Sequence, residues 1–66
     1  MASMNGIERQ RRLHFLTQRE LADVLGVTIQ TISNWERGTS APGTKMLILM
    51  SEYFAVPVDD LLKTYE

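Results

Sequence analysis

With 66 residues and 44% hydrophobic content, the chain is one small domain with room for one core. The absence of cysteine excludes disulfides and thiolate metal sites, and one histidine cannot build a multi-histidine site, so no metal or cofactor is expected. A net charge of -1 is low for a nucleic-acid binder; no apolar run reaches membrane-span length and the start lacks a signal-peptide core, so the expected location is cytoplasmic.

Residues 1–4, Met1-Ala2-Ser3-Met4, carry a second Met and are set aside as a disordered or added N-terminus. The domain proper is expected over 5–63, and the first helix over Asn5–Phe15 with Asn5 as its cap. Ile7, Gln10 or Arg11, and His14 fall on one side, which makes a poor apolar face. Arg9, Arg12 and His14 read as a solvated face. Phe15 and Leu16 are expected to cover the core from the loop that follows. Thr17 is a good N-cap, and Glu20 three residues on completes a capping box. Leu21, Val24 and Leu25 then recur at helical spacing, with Gln18, Arg19, Glu20 and Asp23 on the other face. Ala22 is small where two helices must cross closely.

Gly26 ends this second helix in a left-handed conformation. Val27 is an apolar plug for the turn, and Thr28 caps the third helix. Ile32 and Trp35 form its inward stripe, while Gln30, Thr31, Ser33, Asn34 and Arg37 stay polar. Gly38 stops it. Residues 39–43 are a loop by composition, and the fourth helix runs from Gly43 or Thr44 to about Phe54. Leu47, Met50, Ser51 and Phe54 make its inward stripe. Met46, Leu49 and Tyr53 form a second apolar stripe, and a chain this short has little to cover it with. That stripe reads as a homodimer interface, or else as a widened core. After Ala55-Val56-Pro57, a short helix spans Val58–Leu62. Asp59 and Asp60 sit in its first turn, where they favour the dipole. Leu61 and Leu62 close the core, with Leu61 also assigned to the dimer seam. The end, 64–66, is expected to fray.

Two helices joined by a tight Gly-containing turn are a helix-turn-helix. The matching residues are Thr17-Gln18, Glu20-Leu21-Ala22, Leu25-Gly26-Val27-Thr28, Thr31-Ile32-Ser33 and Trp35-Glu36-Arg37-Gly38. They resemble the phage repressor, Cro and xenobiotic-response-element family of transcription regulators. The resemblance implies an all-α, lambda-repressor-like fold of five short helices, with the third helix in the major groove. It implies base contacts from Ile29, Gln30, Thr31, Ser33 and Asn34, and phosphate contacts from Thr17, Gln18, Arg19, Arg37, Thr39 and Lys45. It also implies a structural ion pair between Arg11 and Glu36. The chain departs from the family pattern at Gln10, usually aliphatic, at Phe15, usually Gly, and at Pro57, usually a capping Ser. Thr39 and Ser40 stand where the family often carries Lys or Arg.

The expected function is sequence-specific binding of a double-stranded operator by a small Cro-like repressor, acting as a dimer. The alternative is a protein-interaction module, such as an antitoxin-like partner that uses the Met46, Leu49, Tyr53 flank. No nucleophile–base pair, metal cluster or phosphate loop suggests an enzyme.

Overall fold

The computed structural model describes residues 3–66. Within them the order is β1 (Met4–Asn5), α1 (Gly6–Leu13), α2 (Gln18–Leu25), α3 (Ile29–Arg37), α4 (Thr44–Phe54), α5 (Val58–Leu62) and β2 (Thr64–Tyr65). The five helices are those the sequence predicts. The ribbon is an addition: β1 and β2 pair antiparallel, Met4 opposite Tyr65 and Asn5 opposite Thr64. It corrects the expectation that residue 4 belongs to a disordered start and that 64–66 fray. The pairing is reinforced by the Arg9 guanidinium, 4.3 Å above the Tyr65 ring. Met1 and Ala2, also assigned to that start, lie outside the described residues.

Local chemistry sets the helix starts. Asn5 accepts from the Glu8 N–H, and Thr28 accepts from the Thr31 N–H. Thr17 accepts from the Glu20 N–H while the Glu20 carboxylate accepts from the Thr17 N–H, which completes the predicted capping box. The helix stops share one design. Phe15, Gly26, Gly38 and Ala55 each have positive φ and follow α1, α2, α3 and α4 in turn. The next residue in each case (Leu16, Val27, Thr39 or Val56) donates its N–H back to the last turn of the helix. This is the Schellman arrangement, and it returns an apolar residue to the core at Leu16, Val27 and Val56.

The core is Ile7, Leu21, Ala22, Leu25, Ile32, Trp35, Met50, Phe54 and Leu61. The predicted inward stripes of α2 and α3 lie there, except that Val24 is exposed. Two further expectations need correction. Phe15 does not cover the core. It is 93% exposed, because its φ of +57° turns the side chain outward and hands the inward role to Leu16. Leu61, assigned to the dimer seam, is 1% exposed and sealed inside, where α5 closes on α1 at Gly6. His14 is exposed, as expected, and its ring also packs 4.8 Å from that of Phe54, while its Nδ1–H donates to the Gln10 carbonyl at 2.9 Å.

Candidate nucleic-acid interface

The α2–α3 pair is fixed by Leu21, Ala22 and Leu25 against Ile32 and Trp35, all in the common core. A polar clamp holds the same pair to α1. Arg11 donates from Nε to Glu36 Oε2 at 2.6 Å and from Nη2 to Oε1 at 3.0 Å. Its Nη1 donates to the Leu16 carbonyl at 2.8 Å. Gln18 Nε2 adds a bond to Glu36 Oε1 at 3.1 Å. Thus the starts of α2 and the loop before it are tied to the end of α3 through one carboxylate. Hydrogen bonding to Glu36 pushes Arg11 above its already high ordinary pKa, against the opposing effect of burial. Because the folded value is the raised one, the stabilisation tied to the Arg11 charge is complete below the ordinary arginine titration range. It is lost only above that range, and so stays constant through neutral pH.

The family pair of Arg11 and Glu36 is therefore in place, as the sequence predicts. Gln18 carries a role that the sequence reading missed, for one of its amide hydrogens is spent on Glu36. The signal for it is the helical phase that puts Gln18 beside the end of α3, which emerges only once the helices are packed.

The outer face of α3 is polar and ordered by its own hydrogen bonds. Ile29 and Gln30 are exposed at its start, while Thr31, Ser33 and Asn34 are half-buried. The Thr28 and Thr31 hydroxyls lie 2.9 Å apart. Gln30 Nε2 donates to Asn34 Oδ1 at 3.0 Å, and Arg37 Nη2 donates to the same oxygen at 2.6 Å. Thr39 donates its hydroxyl to the Asn34 carbonyl at 3.2 Å. Thr17 stands exposed at the α2 cap, and the first turn of α4 opens at Gly43 without a side-chain cap.

The structure also sorts the cations. Arg11 and Arg12 pair with Glu36 and Glu8, Lys63 reaches Asp60 at 3.6 Å, and Arg9 covers Tyr65. Among the described residues, Arg19, Arg37 and Lys45 make no ion pair. These three, at the start of α2, the end of α3 and the start of α4, are the cations that the resemblance assigns to phosphate. The weak net charge thus hides an uneven allocation, with cations outside the ion pairs left at the start of α2, the end of α3 and the start of α4.

On α4, Leu49 and Tyr53 of the expected dimer stripe are exposed at 39% and 45%. Met46 is half-buried and packs against the core instead of facing out fully. Ile48, which sequence periodicity did not single out, and Leu62 are exposed as well.

This fold, with two helices set around a Gly turn and a polar outer helix face, defines a DNA-binding domain of the helix-turn-helix class. A family model described as helix-turn-helix matches residues 7–61, and the chain belongs to that family of transcriptional regulators. An HTH-type transcriptional regulator of Methanocaldococcus jannaschii, described as uncharacterised, is 39% identical over 57 residues, 86% of either chain. The HTH-type transcriptional activator BcrR of Enterococcus faecalis is 41% identical over 51 residues, 77% of this chain and 25% of that protein. Antitoxin PezA of Streptococcus pneumoniae is 32% identical over 56 residues, 85% of this chain and 35% of that protein. The crystal structure of a transcriptional regulator from Listeria innocua superposes with a TM-score of 0.78 at 26% identity, covering 89% of this chain and 58% of that one.

Proposed function

We propose that the chain is a Cro-like repressor that reads a two-fold-symmetric DNA operator as a homodimer and acts by binding, without catalysis, in the cytoplasm. The observation that carries this is the polar outer face of α3 together with three cations that, among the described residues, make no ion pair. Ile29, Gln30, Thr31, Ser33 and Asn34 face the bases, with Ile29 suited to a thymine methyl. Arg19, Arg37 and Lys45 hold phosphates, helped by Thr17, Thr39 and the remaining amide hydrogen of Gln18. Leu49 and Tyr53, with Met46 at the margin and Ile48 alongside, form the contact between two copies. A dimer doubles the few cations that one copy supplies and spaces two α3 helices for successive turns of the groove. Repression follows where the operator overlaps the site that polymerase needs.

A second reading is supported by the likeness to antitoxin PezA: the same α4 surface would then grip a different protein. One experiment separates the two. The wild-type chain and the double variant Leu49→Glu, Tyr53→Glu are sedimented, and each is used to select from a random duplex library. The expected result is a wild-type dimer that enriches a symmetric site, and a folded monomeric variant that enriches none. A monomeric wild type that selects no site supports the protein-partner reading instead.

A further inference from the structure

Asn5 and Gly6 form the one Asn-Gly step in the chain; the other asparagine, Asn34, is followed by Trp35. An asparagine side-chain amide is open to attack by the backbone nitrogen of the next residue. Glycine has no side chain to hinder that approach, whereas tryptophan has a large one. In the fold, every group that takes part is held. Asn5 Nδ2 donates to the Trp35 carbonyl at 2.7 Å, and Asn5 Oδ1 accepts from the Glu8 N–H at 3.0 Å. The Gly6 N–H donates to the Lys63 carbonyl at 2.8 Å, and Gly6 is buried against the Asp60 carbonyl. The ψ of Asn5, 172°, keeps the Gly6 nitrogen extended along the chain and turned away from the Asn5 side chain. The residues that hold Gly6 belong to α5 and to the segment leading into β2. Gly6 therefore comes free when that end of the chain peels away from β1.

From this we infer that Asn5-Gly6 is a latent site of self-modification, deamidation through a succinimide, which the fold suppresses and opening of the ribbon releases. The inference is independent of the DNA-binding reading. Once released, the Gly6 nitrogen bonds to Asn5 Cγ and the bond from Cγ to Nδ2 breaks. The side-chain nitrogen leaves as ammonia and carries off the proton of the Gly6 N–H. Water then opens the ring, and no electrons change hands. Cleavage between the Gly6 nitrogen and Cγ leaves aspartate at position 5. Cleavage between that nitrogen and the Asn5 backbone carbonyl carbon leaves isoaspartate, with the chain running through the former side chain. Aspartate still caps α1. It has no hydrogen for the Trp35 carbonyl, so the tie from position 5 to the last turn of α3 is cut. Isoaspartate also lengthens the backbone where it pairs with Thr64, which shifts Met4 out of register with Tyr65. Either product weakens the contacts that protected the site. The step is one-way, a covalent record that a molecule has opened.

The test incubates the full chain at mildly alkaline pH, folded in buffer and unfolded in guanidinium chloride. Peptide mass spectrometry follows Asn5, with Asn34 as the slow comparison. The expected result is conversion of Asn5 ahead of Asn34 in denaturant, and conversion of Asn5 at least about tenfold slower in buffer, where only the opened fraction reacts. Tyr65→Ala removes the ring that Arg9 covers, and Arg9→Ala removes the cation and leaves the ring. Each should loosen the ribbon and speed conversion in buffer while circular dichroism still shows the helices; Arg9→Ala serves alone if Tyr65→Ala does not fold. Protein converted in denaturant and refolded should melt below unconverted protein taken briefly through the same denaturant. Equal rates in buffer and denaturant, or no conversion of Asn5 in denaturant, would overturn the inference. So would a wild-type rate in the folded ribbon variants, or converted protein that melts like the unconverted.

Discussion

At Gly6 a hydrogen stands where no other side chain fits. A Cβ there would lie 1.7 Å from the Asp60 carbonyl oxygen, and the Gly6 N–H donates to the Lys63 carbonyl at 2.8 Å. This one residue lets α1 touch α5 and lets the ribbon form beside them. Gly6→Ala must push those elements apart, which costs about 3 kcal/mol or more. A domain this small has little more than that in reserve, ~5 kcal/mol. Urea unfolding followed by circular dichroism should therefore show a variant that is largely unfolded before denaturant is added. The sequence reveals the Asn5 cap, because its partner is three residues away. It does not reveal the need for Gly6, because the clash lies with the far end of the chain. Arg11 and Glu36 are also distant in sequence, and they are legible only through the family resemblance. The same resemblance carries Gly at the position of Phe15, and that departure is the visible trace of a strained backbone.

The helices show how far local chemistry reaches. Caps, Gly stops and apolar stripes make α2 and α3 readable from sequence nearly to the residue, since each signal sits within one turn of what it controls. The ends of α1 and α4 are harder to read. Both finish in the same left-handed turn as the others, yet with Phe15 and Ala55 in place of Gly. A left-handed conformation costs an L-residue about 1–2 kcal/mol. The Phe15 side chain recovers almost none of this, being nearly fully exposed. Phe15→Gly is therefore expected to stabilise the domain by ~1 kcal/mol, after the greater freedom of Gly in the unfolded chain is set against the relieved strain. In a thermal melt this is a rise of about 4–8 °C. A lower melting temperature would mean that Phe15 makes contacts beyond those of the single chain. The exposed apolar stripe on α4 is half legible for a related reason: periodicity places Leu49 and Tyr53 on one flank, but only packing tells that Met46 turns inward and that Leu61 is sealed by α1.

For the whole molecule, the number that matters is the count of cations left over after folding. Formal charge argues mildly against DNA, while among the described residues Arg19, Arg37 and Lys45, at the start of α2, the end of α3 and the start of α4, make no ion pair. If each neutralises one phosphate, the logarithm of the binding constant should fall with the logarithm of salt at a slope of about -3 for one copy and about -5 for two. Titrations by fluorescence anisotropy across a range of salt distinguish these. A slope near zero would place the binding energy elsewhere. The ribbon has a different consequence. Because Met4 lies opposite Tyr65, the path of the backbone from one strand round to the other is almost a closed ring. A covalent join across that short gap would leave the folded state nearly unchanged and deny the unfolded chain most of its reach. Loop-closure entropy for a ring of this size corresponds to ~4 kcal/mol. A cyclised form of this domain would thus gain stability comparable to that of the linear one without a single new side-chain contact.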